Sequence, residues 1–218
     1  MDTLSTKKVS RPGPVGGARD RNRRDTQQRL VEAALQLFLA HGIEAVTIDQ
    51  IVAAAAMAKG SFYRYATDKA AVVAMIMEPI EIEVLNALER CEHAIGLAQR
   101  EMLAGIYFQL AMDLLAVVTA NTSRVLLYLQ EARAPVSDSR RLIHGIADEL
   151  TARAISLTQV ALDHALIRDV DPRVAGVTVL GAVDALLFEQ LRGRRAASDA
   201  PRAITELVGI VLAGIRRP

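Results

Sequence analysis

The chain has a single cysteine, Cys91, no tryptophan, and only four tyrosines and four phenylalanines in 218 residues. One thiol excludes an internal disulfide framework and any zinc site built on several thiolates. With aromatics at 4%, the apolar half of the composition is carried by Ala, Leu, Val and Ile, a mix that favours helices over a β-sandwich. Long uncharged runs are missing too. The longest, Met102 to Met112, falls well short of the ~20 residues a spanning helix needs, so no membrane segment is expected. Lys7 and Lys8 are followed by Gly, Pro and Arg where a secretory signal would be apolar, so a cytoplasmic location is expected.

Catalytic spacings are absent as well. His41, His93, His144 and His164 form no His-Glu-x-x-His pair, and Cys91 and His93, two residues apart, face different sides of a helix. His144 and Asp148 lie one turn apart, as a surface or interface pair would. Gly13 to Gly17 has no flanking strand to make a phosphate loop. No catalytic residue, metal or cofactor is expected, and the chain does not read as an enzyme.

What is present is an uneven charge distribution. The net charge is +1, yet residues 1–24 carry seven basic side chains (Lys7, Lys8, Arg11, Arg19, Arg21, Arg23, Arg24) against Asp2 and Asp20. With Pro12, Pro14 and three glycines in the same stretch, residues 1–23 read as a flexible basic arm.

From there on the pattern is helical. Asp25 with Gln28 forms a capping box for a helix at about 26–41, with Leu30, Ala34, Leu37 and Phe38 on one face and Gly42 in a left-handed C′ position. Thr47 with Gln50 opens a second, short helix ending near Ala55. A brief break precedes Lys59 to Tyr65, which is too short to bury much and carries a glycine, a hydroxyl, two tyrosines and two basic residues. Thr67 caps a further helix that Pro79 should kink or interrupt. Helices follow at about 80–95, 98–119, 122–132, 138–168, 172–192 and 201–216, with no strand pattern and no fixed-period repeat. The fold class expected is all-α.

Two short helices joined by a tight turn, the second presenting small and hydrogen-bonding side chains, are the parts of a helix-turn-helix reader. A major groove ~12 Å wide admits the second helix only if residues at its start are small or polar. Gly60 and Ser61 meet that demand. Thr47, Tyr63, Tyr65 and Lys69 are placed to hold phosphates, Lys59 adds charge, and Arg64 can reach base or backbone. The run Thr47-Ile48-Asp49-Gln50-Ile51, then Ala56 to Tyr65 and Asp68-Lys69, resembles the tetracycline-repressor (TetR) family, as does the Phe38-Leu39-Ala40-His41-Gly42 helix end. It departs from the family pattern at Ala56, where glycine is usual in the turn, at Ala58, where serine caps the reading helix, and at Ala66, where an aromatic is usual. An alanine at positive φ and a missing cap should each cost roughly 1 kcal/mol.

The resemblance implies a helix-turn-helix domain over 24–68 and a larger helical domain over 69–218 that binds a small effector and dimerises through its last two helices. The expected function is a ligand-responsive regulator, most simply a repressor that binds a palindromic DNA operator as a homodimer. Arg21, Arg23 and Arg24 would support it from the minor groove. The helix at 172–192 is apolar nearly all round, as a helix covered by a partner subunit would be. Val177, Leu180, Leu187, Phe188, Leu191, Leu207 and Val211 are the expected interface. Met75, Met102, Tyr107, Phe108, Met112 and Tyr128 are the adaptable side chains expected around a mostly apolar effector, with Gln109, Asp113, Gln130 and Glu131 as candidate polar anchors. The competing reading is a helical small-molecule adaptor without DNA recognition.

Overall fold

The computed structural model describes residues 17–192 and 200–215. Among them it places nine α-helices and no strand: α1 (Ala18–His41), α2 (Ile48–Ala54), α3 (Lys59–Phe62), α4 (Lys69–Gly96), α5 (Leu103–Ala120), α6 (Thr122–Glu131), α7 (Arg141–Asp163), α8 (Pro172–Leu191) and α9 (Ala200–Ile215). Short 3-10 turns at Arg100–Met102 and Asp138–Arg140 lead into α5 and α7.

Helix α1 begins seven residues before the expected Asp25 cap. Its N-cap is Gly17, whose carbonyl accepts the N–H groups of Asp20 and Arg21, and it has no side-chain cap. Arg21 and Arg23, expected in the flexible arm, are therefore helical, as is Arg24. Charged residues of both signs at four-residue spacing, Asp20 with Arg24 and Arg21 with Asp25, support a helix without any apolar stripe. Lys7, Lys8 and Arg11 lie outside the described residues, as does the loop 193–199. At the other end of α1, Gly42 has the positive φ expected, but at 79° with ψ 153°. That is the extended positive-φ region that only glycine enters readily, not the left-handed helical one.

The helix-turn-helix geometry follows from local chemistry. Thr47 accepts the Gln50 N–H, and the Gln50 side chain accepts the Thr47 N–H at 2.8 Å, which completes the expected capping box on α2. After α2 the Met57 N–H reaches the Val52 carbonyl and the Ala56 N–H reaches that of Ala53. This is a Schellman turn with Ala56 at φ 49° in the position glycine normally takes. Ala58 caps α3 with no side-chain bond, as its missing hydroxyl requires. Relief of strain at Ala56, less the greater freedom glycine has when unfolded, gives Ala56→Gly a net gain of about 0.5–1 kcal/mol. Urea unfolding followed by circular dichroism checks that sign.

Two details of α4 differ from expectation. Its cap is Asp68, which accepts the Ala71 N–H at 2.8 Å, rather than Thr67. Pro79 lies inside a single 28-residue helix and does not end it. The missing N–H removes one bond, while Val72, Val73, Ile76, Met77 and Ile80 bury the helix on both sides of the proline.

One core runs through both parts of the molecule. Leu30, Phe38, Ile51 and Phe62 from the first three helices join Ile76 on α4 with Leu127, Tyr128 and Ile143 on α6 and α7. A second cluster, including Leu88, Ile95, Leu157 and Ile167, closes the far end of α4 against α5 and α7. Helix α8 lies along α7, and α9 rests on α5.

The segments Arg100–Ala120 and Pro172–Leu191 are long and apolar enough to cross a membrane by length and composition. This corrects the expectation from uninterrupted runs, because each segment tolerates an aspartate, Asp113 or Asp184, within a longer apolar span. Their apolar residues have another use here, as walls of an internal cavity.

Candidate DNA-reading head and effector cavity

Phe62 is fully buried and anchors α3, so the rest of that short element must face outward. Tyr63 is 55% exposed and meets Phe62 edge to face at 5.3 Å. Arg64 is exposed, its guanidinium 5.9 Å from the Tyr65 ring centroid, and Tyr65 is half-buried against the core. A Cβ on Gly60 would meet nothing within 4 Å, so backbone there is open to a close approach. Lys59 pairs with Asp49 of α2 at 2.7 Å, and that carboxylate raises the lysine's pKa by accepting its hydrogen bond. Lys59, Gly60, Ser61, Tyr63 and Arg64 thus share one exposed turn, with a cation held at its start.

Thr47 and Lys69 are already engaged. The Thr47 hydroxyl serves the α2 cap. Lys69 donates to the carbonyls of Glu44 and Val46, both at 3.2 Å, and its side chain is only 17% exposed. It clamps the connection between α1 and α2. Arg21, Arg23 and Arg24 are exposed on the first turns of α1.

The same connection is latched from the other side. Glu131, 4% exposed at the end of α6, accepts the Ile43 N–H at 3.0 Å and the Arg140 Nε at 2.5 Å. Arg140 also approaches Glu44 at 3.8 Å, and the Ser137 hydroxyl donates to the same Glu44 carboxylate.

A cavity of about 300 Å³ lies between α4, α5, α6, α7, α8 and α9. Its walls are mostly aliphatic, for example Val84, Leu110, Leu114, Leu150, Val179 and Leu180. Burial raises the phenol pKa of both aromatic members, Tyr107 and Tyr128. Glu81, Glu149, Asp184, Thr158 and Gln190 supply its other polar groups.

Residues 30–76 match the family model for bacterial regulatory proteins of the tetR family. The chain is 26% identical over 181 residues to the HTH-type transcriptional regulator SrpR of Pseudomonas putida, covering 78% of this chain and 77% of that protein. Residues 30–76 thus carry the amino-terminal domain of TetR-family regulators. A second relative, the HTH-type regulator TcmR of Streptomyces glaucescens, is 38% identical over 88 residues, covering 40% of this chain and 38% of that one. Among solved structures, NalD of Pseudomonas aeruginosa, the secondary repressor of the MexAB-OprM multidrug efflux pump, superposes with a TM-score of 0.69 at 18% identity, over 90% of this chain and 98% of that one. SmeT in complex with triclosan gives 0.64 at 19% identity, over 88% and 92%. The family model and the relatives that match are those of DNA-binding transcriptional regulators, which is what the helix-turn-helix of this chain resembles.

Of the expected effector residues, the structure brings only Tyr107 and Tyr128 to the cavity. Met102, Phe108 and Met112 lie on the outer side of the α5 region, exposed, because neighbouring positions on a helix point about 100° apart. Met75 packs near α1, where Gln27 donates to its sulfur at 3.3 Å. Gln109 and Asp113 bond each other and Arg90 at the surface, and Glu131 belongs to the latch. Gln130 does not line the cavity either.

The expected interface also divides. Leu180, Leu187, Leu207 and Val211 turn into the cavity of their own chain, because α8 and α9 form its wall. Leu191 packs on the core, and Phe188 lies under Arg192 at 5.1 Å. Only Val177 faces outward, 46% exposed, together with Val174 and Ile210, which the sequence reading did not select. Asp184 and Gln190 were missed as cavity residues. The signal for Asp184 was its isolation, since it is the sole charge between Arg173 and Glu189.

Proposed function

We propose that this regulator is a ligand-responsive repressor that binds a palindromic operator as a homodimer and releases it when a small, mostly apolar effector enters the cavity. The observation that carries the reading is α4. It starts at Asp68, directly behind the reading helix, and runs unbroken for 28 residues, or about 40 Å, with Ile80, Val84 and Leu88 in the cavity wall. A ligand that prefers one cavity shape thereby prefers one placement of the head, and that differential affinity is all that release requires. NalD's description as a repressor and the triclosan held by SmeT favour the same reading.

In this reading residues 24–68 are the DNA-reading unit and residues 69–218 sense and dimerise. Lys59, Gly60, Ser61, Tyr63 and Arg64 enter the major groove, while Thr47, Tyr65 and Lys69 fix their placement. Arg21, Arg23 and Arg24 meet flanking phosphates from a helix. The outward Val174, Val177 and Ile210 supply apolar surface for a second copy.

Selection of bound sequences from random duplex DNA is expected to return a palindrome whose affinity falls steeply between 50 and 200 mM salt. Tyr63→Ala should weaken the winner about tenfold with the fold intact. No enrichment from a folded, dimeric protein would instead favour the adaptor reading.

A further inference from the structure

We infer that the cavity selects a lipophilic monocation and that Asp184 is its counter-ion, a specificity that rests on reading the cavity as the effector site. Among the described residues the wall contains three carboxylates, Glu81, Glu149 and Asp184, and no lysine, arginine or histidine. They are not equivalent. Glu149 is neutralised by Arg153, whose Nε lies 2.8 Å from its oxygen. Asp184 projects from the apolar helix α8, and the cation it meets, Arg133, reaches in from solvent to 3.9 Å with 73% of its own side chain exposed.

That long contact leaves the aspartate's charge poorly compensated. Burial raises the Asp184 pKa and outweighs the opposing pull of Arg133. Tyr128, beside it in the wall, feels the same carboxylate. A ligand cation seated here would take the position that Arg133 only approaches, next to an aromatic ring that also favours positive charge. An anion would meet the poorly compensated Asp184 carboxylate in a low-dielectric wall, and a neutral molecule would leave Asp184 as it is.

A second, separate observation is an unpaired polar atom on a residue of the wall. Gln190, six residues along α8, also lines the wall, and its Nε2 is buried with no hydrogen-bond partner among the described residues. Buried donors in folded proteins are rarely left unpaired. The aliphatic remainder of the wall then requires that the ligand's charge be single and its body apolar. The size is that of a small organic molecule.

Three probes of one chain length and three charges test this on the full chain by calorimetry: decyltrimethylammonium, decan-1-ol and decanoate, each below its micelle concentration. The ammonium should bind about tenfold more tightly than the alcohol, and decanoate most weakly. Asp184→Asn should bring the ammonium to the level of the alcohol, with circular dichroism reporting that the variant is folded. Arg133→Ala, which removes the competing cation, should strengthen ammonium binding at least threefold. A preference for the alcohol or decanoate, or an ammonium preference that survives Asp184→Asn, overturns the inference and leaves the effector reading standing. Should Asp184→Asn fail to bind the alcohol, the Arg133→Ala result decides, and unchanged ammonium affinity there counts as refutation. If none of the three binds, the effector reading of the cavity falls with the inference.

Discussion

Replacing Glu131 by alanine should lower the free energy of unfolding by about 3 kcal/mol, measured by urea denaturation. The carboxylate is 4% exposed and serves two partners on two other parts of the chain, the Ile43 N–H and the Arg140 guanidinium. Alanine leaves the buried Ile43 N–H unmet and leaves a largely buried cation with only the Pro135 carbonyl and the longer contact to Glu44, and buried groups cost more when orphaned than their bonds contribute when made. Glu131→Gln keeps an acceptor for Ile43 and loses the charge opposite Arg140, so about half of the effect should remain. Gly42 is drawn into the same site: a Cβ there would stand 3.3 Å from the Glu131 oxygen, on a backbone that already has positive φ. If both variants unfold like the parent protein, the latch contributes nothing to the fold.

Gly176→Ala should cost about 2 kcal/mol, although alanine is the better helix former by about 1 kcal/mol. A Cβ at Gly176 would fall 2.8 Å from the Ile155 nitrogen and 2.9 Å from the Ala154 carbonyl carbon. Both are backbone atoms and cannot rotate away, so α7 and α8 would have to separate. Gly181 lies one and a half turns further along the same helix with nothing within 4 Å of its Cβ position. The same substitution there should stabilise by about 0.5–1 kcal/mol. Opposite signs for one chemical change on one helix, read from thermal melts, would identify close helix approach as the cause. Equal signs would refute it.

These two sites also mark where sequence reading stopped. The capping box at Thr47, the turn at Ala56 and the uncapped start of α3 were legible because each is settled within a few residues by backbone hydrogen bonding. The early start of α1 was not, since its first turns are stabilised by charges that leave no apolar periodicity. Most helix limits beyond Pro79 came within a few residues of expectation. The phase of those helices about their axes did not. Tyr107 faces the cavity and Phe108 faces out, a difference that composition cannot register. Helix α8 is apolar nearly all round, so its sequence could not say which leucines turn inward and which residues remain for a partner. Glu131 could not be paired with Ile43 from sequence either, because 88 residues separate them.

Pro79 stands immediately before Ile80, near the point where α4 passes from the core beneath the reading head to the cavity wall. The carbonyl of Met75, one turn back, therefore faces a ring that has no hydrogen to give it. A rod that is stiff on either side of one absent rung bends at that rung before it bends elsewhere. In the proposed release, displacement of the cavity end would be converted at residues 75–79 into a change of angle, and a shift of an ångström near Ile80 would grow with distance along the shorter arm towards Asp68.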